Sequence, residues 1–164
     1  MIGWLHISIP CLFLSLAGCW QDDSGLGSNP LGCTEIGCDD RLDVIFESQD
    51  AQTFPAGTYT FTLTPNGESP LVATCSFDRH QDLACSGDTH VLTVLAADRE
   101  FSIRLLEAPA TVTASLVFEQ QRLGEKMLSP DYSMVTPNGP QCEPICFQAT
   151  VAFEVICPEP TEGL

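Results

Sequence analysis

Apolar and polar residues alternate along most of the chain after Asp40, with the period of two that is typical of β-strands. The clearest example is the segment 58–64, in which threonines alternate with Tyr59, Phe61 and Leu63. Successive side chains of a strand point to opposite faces of its sheet. This segment therefore predicts a strand with one face in the core and one face in solvent.

Other strand-like segments follow, with turn sequences between them. Pro55-Ala56-Gly57 and Pro65-Asn66-Gly67 are typical of turns, because proline presets one backbone dihedral angle and glycine accepts conformations that other residues avoid. The predicted strands cover residues 41–48, 58–64, 71–77, 83–86, 90–96, 101–106, 111–118 and 145–155, with a short irregular strand at 121–128 and a long loop at 130–141.

This pattern predicts an all-β fold, because no segment has the sustained apolar period of a helix. About seven to nine short strands favour an immunoglobulin-like antiparallel β-sandwich cross-linked by disulfides. A small up-and-down β-barrel is the alternative, since alternation alone does not distinguish an open sandwich from a closed barrel. We expect the core to contain the aromatic residues Phe46, Tyr59, Phe61, Phe77, Phe101, Phe118, Phe147 and Phe153.

The beginning of the chain has a different character. Residues 1–18 contain no Lys, Arg, Asp or Glu, and this apolar run leads into Leu16-Ala17-Gly18-Cys19. That sequence resembles the lipobox, which ends the signal peptide of bacterial lipoproteins. The resemblance implies cleavage between Gly18 and Cys19 and a diacylglyceryl group on the Cys19 thiol. Because Trp20 follows the cysteine instead of Asp, it further implies a location at the outer membrane of the cell envelope.

The chain is thus expected to have four parts. They are a lipoprotein signal peptide at 1–18, a flexible tether at 19–32, a β-sandwich domain at 33–158 and a loose tail at 159–164. A transmembrane helix is the alternative for the apolar run. The run is short for a membrane span, however, and acidic residues follow it where basic residues would be expected.

Nine cysteines are a high number for a chain of 164 residues. Cys11 lies in the predicted signal peptide and Cys19 is the predicted lipid attachment site. Because an exported chain enters an oxidising compartment, the remaining cysteines predict disulfide bonds. Cys75 and Cys85 flank a polar tip and fit opposite positions of a hairpin, so we expect them to bond to each other.

Four further cysteines lie near the two ends of the predicted domain. Cys33 and Cys38 open it, and Cys142 and Cys146 introduce its last strand. First and last strands of immunoglobulin-like sandwiches often lie close together, so we expect two disulfides among these four, in any of three pairings. Cys157 is then unpaired. A zinc site is the alternative, but the spacings C-x4-C and C-x3-C differ from the usual C-x2-C.

The chain is strongly acidic. It has 22 Asp and Glu residues against 6 Lys and Arg, a formal net charge of −16. Such a charge repels phosphate polyanions and argues against nucleic acid as a partner. Without a further motif, the excess charge is typical of a solvated surface.

Few residues have the spacing of a catalytic or metal site. Asp78, His80 and Asp82 alternate at the predicted hairpin tip and are candidate ligands of a divalent cation, although hairpin tips are commonly polar without binding one. The acidic residues within 39–43 lack the register of an EF-hand loop. The sequence contains neither G-x-S-x-G nor H-E-x-x-H, so we expect no enzymatic activity and no cofactor.

Three short motifs of the predicted domain carry a second resemblance. They are Cys33-Thr34-Glu35-Ile36-Gly37-Cys38, residues 55–59, and Pro137-Asn138-Gly139-Pro140, which precedes Cys142 and Cys146. Together they are similar to a group of small uncharacterised envelope lipoproteins of myxobacteria and related bacteria. The resemblance covers most of the domain and implies location and fold, but no activity.

These observations lead to two hypotheses of function. The first is a lipid-anchored envelope lipoprotein that displays a β-sandwich as a binding or structural module, with the membrane and an envelope or surface protein as its partners. The second is a metal-binding module or hydrolase on the cell surface that uses the His80 region.

Overall fold

The computed structural model describes residues 33–78, 80, 82–90, 92–97 and 99–157. These residues form ten β-strands and no helix, which confirms the all-β prediction. None of them belongs to a helix that is long and apolar enough to cross a membrane. The strands are β1 (Arg41–Ser48), β2 (Gly57–Pro65), β3 (Leu71–Phe77), β4 (Leu83–Gly87), β5 (Leu92–Ala97), β6 (Glu100–Leu105), β7 (Val112–Phe118), β8 (Gln121–Leu128), β9 (Ser133–Val135) and β10 (Cys146–Val155).

The strands form two five-stranded sheets. The first sheet has the order β5-β6-β1-β10-β9, and the second has the order β4-β3-β2-β7-β8. This arrangement confirms the predicted β-sandwich. It does not match the up-and-down barrel, in which consecutive strands are neighbours, because β1 and β2 belong to different sheets.

One strand pair is an exception to the antiparallel expectation. β1 and β10 run parallel, with Arg41 opposite Gln148 and Ser48 opposite Val155. The other pairs among the described strands are antiparallel. The segments that lead into β1 and β10 therefore approach the sheet from the same end.

Aromatic rings fill the core between the two sheets. Tyr59 and Phe61 of β2, Phe46 of β1 and Phe101 of β6 are fully buried. The ring centroids of Tyr59 and Phe101 lie 4.7 Å apart, and those of Phe46 and Phe61 lie 5.7 Å apart. Both contacts join the second sheet to the first. Tilted aromatic pairs at these distances contribute beyond the area that they bury.

Two aromatic residues depart from the predicted core. Phe147 was expected to be buried, but it is 45% exposed. Its cross-strand neighbour is Met134 of β9, a three-residue strand at the edge of the sheet. Met134 is itself exposed, so it does not bury the Phe147 ring. Conversely, Phe54 lies in the loop after β1 and is buried, with its ring centroid 4.6 Å from that of Phe101.

Candidate functional site

The predicted lipid attachment residue, Cys19, lies outside the described residues, as does the rest of Leu16-Ala17-Gly18-Cys19. The same holds for the predicted signal peptide, the tether at 19–32 and the tail at 159–164. The structure places the other candidate residues of the sequence, beginning with the cysteines near the two ends of the domain.

Two disulfide bonds join the beginning of the domain to its last strand. Cys33 bonds to Cys142 and Cys38 bonds to Cys146, with Cα–Cα distances of 5.7 and 6.1 Å. The four cysteines expected to form two bridges are therefore bridged, and the structure selects one of the three pairings. We call these four residues the terminal clamp.

The parallel register of β1 and β10 explains this pairing. Arg41 lies opposite Gln148, so Cys38 and Cys146, each a few residues earlier in its chain segment, approach the sheet side by side. Cys33 and Cys142 lie further from the sheet along the same two segments and pair with each other. The clamp thus continues the strand pair beyond its hydrogen bonds.

Asn138 connects the same two segments by hydrogen bonds. Its Oδ1 accepts from the Thr34 hydroxyl at 2.6 Å and from the Ile36 amide at 2.9 Å. Its Nδ2 donates to the carbonyl oxygens of Ile36 at 2.9 Å and Glu143 at 2.7 Å. The sequence indicated only a turn at Pro137-Asn138-Gly139, since a turn motif does not reveal which distant segment its side chain will bind.

The acidic residues within 39–43 have structural roles. The Asp40 carboxylate accepts from the Phe147 amide at 2.8 Å, and the Asp39 carbonyl oxygen accepts from Gln148 Nε2 at 3.3 Å. Asp43 is buried and accepts from Arg104 Nε at 2.8 Å. These contacts hold the entering segment and β1 to their neighbours.

The predicted hairpin disulfide is present. Cys75 of β3 lies directly opposite Cys85 of β4, and the two are bonded with a Cα–Cα distance of 4.0 Å. Cys75 is fully buried, so the bridge belongs to the core side of the second sheet. The local pattern of a hairpin was sufficient to find this pair.

Cys157 is unpaired among the cysteines of the described residues, and it is buried. Its thiol donates to the Thr53 carbonyl oxygen at 3.7 Å. Burial raises the pKa of this thiol, and the Asp50 carboxylate raises it further, while a hydrogen bond with Ser48 lowers it. Because the thiolate is the nucleophile, a buried thiol with a raised pKa is unsuited to nucleophilic catalysis.

Two tyrosine hydroxyls hold neighbouring loops. Tyr59 donates to the Pro55 carbonyl oxygen at 2.6 Å, and Tyr132 donates to the Pro109 carbonyl oxygen at 3.0 Å. Burial raises the pKa of Tyr59, and burial together with the Asp40 charge raises the pKa of Tyr132 to about 12. Both hydroxyls therefore remain protonated donors at neutral pH.

The hairpin tip around His80 has a local structural explanation. The Asp78 Oδ1 accepts from the backbone amides of His80 at 2.8 Å and Asp82 at 2.9 Å, which closes the tip. Such aspartate turns recur in loops without a ligand. Among the residues that the structure describes, no three His, Cys, Asp or Glu side chains come together as a group that could hold a metal ion.

Comparison of the chain with protein-family models, with curated proteins and with solved structures finds no significant match. What the protein does is therefore inferred from its own residues.

Proposed function

We propose that the protein is a lipid-anchored envelope lipoprotein whose β-sandwich serves as a binding or structural module without catalytic activity. The observation that carries the proposal is the combination of Leu16-Ala17-Gly18-Cys19 near the start of the chain with three disulfides in the domain. Disulfides form and persist in oxidising compartments, to which a lipoprotein signal peptide delivers its chain.

The terminal clamp also supports this proposal, because its disulfides would resist a force applied through the lipid anchor. The segment 19–32 would link an acylated Cys19 to Cys33, and a flexible segment of this length spans about 20 Å on average. Cys33 is bonded to Cys142, and the next bridge reaches β10 itself. A pull on the anchor would therefore load a covalently closed pair of segments, and it would not peel β1 from the sheet.

The outer membrane is the proposed location, and an envelope or surface protein is the proposed partner. The outer-membrane location is supported by Trp20 after Cys19, because Asp at that position retains lipoproteins in the inner membrane of other bacterial envelopes. The net charge of −16 supports a protein partner over nucleic acid. The metal-dependent alternative has less support, because Asp78 already binds two backbone amides at the tip.

The test compares two cysteine substitutions in the full chain expressed in a bacterium with lipoprotein processing. Cys19→Ser should abolish acylation and cleavage and remove the protein from the outer-membrane fraction. Cys11→Ser is the matched control, because it changes a cysteine of the same apolar run outside the lipobox, and it should be processed normally. Intact-mass spectrometry gives the cleavage site and the acyl mass, and membrane fractionation gives the location.

The same mass spectra count free thiols after alkylation without reduction. Under the proposal the mature chain carries one alkylated cysteine, Cys157, in denaturant. Normal processing and outer-membrane recovery of the Cys19→Ser protein would refute the proposal.

A further inference from the structure

A polar cavity lies on the outer face of the first sheet, where Arg41 and Gln148 follow the clamp cysteines Cys38 and Cys146. Its volume is about 310 Å³, the lower end of the range for small-ligand sites. Its lining is almost entirely polar and comes from β1, β10 and the segment that leads into β9. The lining residues are Arg41, Asp131, Ser133, Gln148, Ala149 and Thr150.

Strand register brings these side chains together. Arg41 of β1 lies opposite Gln148 of β10, which lies opposite Ser133 of β9. Neighbouring strands are about 4.8 Å apart, so these three residues form a row across the sheet. Thr150 lies two residues further along the same face, opposite Asp43.

Arg41 supplies the positive charge of the cavity. Its Nε is buried and has no hydrogen-bond partner among the described residues. Asp43 Oδ2 lies 3.2 Å from that nitrogen, but the Asp43 carboxylate already accepts from Arg104 Nε at 2.8 Å and Nη2 at 3.4 Å. Two guanidinium groups thus share one carboxylate, so Asp43 alone does not balance the charge of both arginines.

The rest of the lining offers mainly acceptors. Asp131 is exposed and its ionised carboxylate only accepts hydrogen bonds. Gln148 Nε2 already donates one of its two hydrogens to the Asp39 carbonyl oxygen, and its Oε1 can accept. The hydroxyls of Ser133 and Thr150 both donate and accept. A ligand must therefore bring one anionic group for Arg41 and several hydrogen-bond donors for the remaining residues.

We propose that this cavity binds a small polar ligand that combines one carboxylate with hydroxyl or ammonium donors. The ligand carboxylate pairs with the Arg41 guanidinium, whose planar donor geometry matches it. The donors of the ligand bind Asp131 and Gln148 Oε1. A sugar acid and an amino acid share this chemistry. A multiply charged anion such as phosphate is disfavoured by the Asp131 carboxylate.

A larger cavity, next to the turn between β7 and β8, does not offer this chemistry. It measures about 640 Å³ and is lined by Ala56, Phe118, Glu119, Gln120 and Gln121, with no basic residue. Its one carboxylate, that of Glu119, already accepts from the Thr58 amide at 2.9 Å.

Isothermal titration calorimetry on the oxidised full chain tests the proposal with four probes: glucuronate, alanine, glucose and inorganic phosphate. We expect saturable binding of glucuronate or alanine, and which of the two binds identifies the donor chemistry. Glucose and phosphate should bind at least about tenfold more weakly, since each lacks half of the recognition. Failure of both carboxylate probes to bind, or equal binding of all four, would overturn the proposal.

Two substitutions locate the site. Arg41→Gln should weaken binding about tenfold or more, whereas Arg122→Gln, a change of an exposed arginine elsewhere, should leave it unchanged. Asp131→Asn removes an exposed negative charge and replaces one of its two acceptor oxygens by a donor, so it should weaken binding severalfold without affecting folding. If Arg41→Gln lowers stability, the affinity of the Asp131→Asn variant still tests the site. Ligand-induced shifts of the Ser133 and Thr150 amide resonances in the unchanged protein test it independently. Unchanged affinity in Asp131→Asn, or shifts centred on Glu119, would refute the assignment.

Discussion

Asp43 is the only charged residue that is buried among the described residues. It lies on β1, the middle strand of the first sheet, with Arg104 of β6 directly opposite. The Arg104–Asp43 hydrogen bond raises the pKa of the guanidinium, and the nearby Asp43 charge adds to this effect. A buried carboxylate without such partners would be costly, so the two arginines make the Asp43 position tolerable.

Asp43→Ala is expected to lower the free energy of unfolding by about 1–2 kcal/mol. Charge-assisted hydrogen bonds contribute about 1.5–3 kcal/mol, and the 37% exposure of the Arg104 side chain places the value at the lower end. Urea denaturation measures the loss. Glu125→Ala is the matched control, because its pair with Arg122 is exposed and should cost no more than about 0.5 kcal/mol. Equal losses in the two variants would contradict the interpretation.

At the scale of elements, the strands were predictable where burial follows a period of two. Tyr59, Phe61 and Leu63 are fully buried, as their alternation with threonine indicated. β9 was missed, because three residues within a loop rich in proline are too few to show a period. Phe54 was missed for a related reason, since a loop residue enters the core through tertiary packing that no local pattern records.

The disulfides show the same difference between local patterns, which the sequence reveals, and long-range packing, which it does not. Cys75 and Cys85 could be paired from sequence, because a hairpin fixes which residues face each other. The pairing within the terminal clamp could not, because it depends on the register between strands more than a hundred positions apart in sequence. The role of Asn138 and the Arg41 cavity depend on the same long-range arrangement.

The terminal clamp predicts a strongly non-additive loss of stability. Its bridges span 109 and 108 residues, so either one alone closes nearly the same long loop. With one bridge in place, the other closes a ring of only about ten residues and contributes about 3 kcal/mol in the chain-entropy model. We expect a loss of about 2.7 kcal/mol when either pair is changed to alanine, and about 7.5 kcal/mol when both are changed, which is about 2 kcal/mol more than the sum of the single losses. Urea denaturation of the oxidised proteins measures these losses.

The hairpin bridge provides the control for this cycle. It spans 10 residues, so changing Cys75 and Cys85 to alanine should also cost about 3 kcal/mol. That loss should add almost fully to the loss of either clamp bridge, since the hairpin loop lies inside the clamp loop but shortens it by only about ten residues. The shared-loop explanation would be refuted if losing both clamp bridges cost only the sum of the single losses.

At the scale of the whole molecule, part of the excess negative charge lies where it lowers stability. Glu47 of β1 lies directly opposite Glu100 of β6 on one side and Glu154 of β10 on the other. No ion pair among the described residues involves these three glutamates. Like charges at directly opposite positions of neighbouring strands are destabilising. The outer face of the first sheet therefore carries a repulsive row beside its stabilising Asp43 network.

Glu47→Gln, at the centre of this row, should raise the free energy of unfolding by about 0.5 kcal/mol at low salt. The gain should disappear near 1 M NaCl, where the screening length falls to about 3 Å, below the spacing of the strands. Glu68→Gln removes the same charge from an exposed turn without an opposed carboxylate, so its effect should be smaller at every salt concentration. Urea denaturation of both variants across a salt series makes the comparison. A Glu47→Gln gain that persists in 1 M NaCl, or equals that of Glu68→Gln, would show that net charge and not the cross-strand row limits stability.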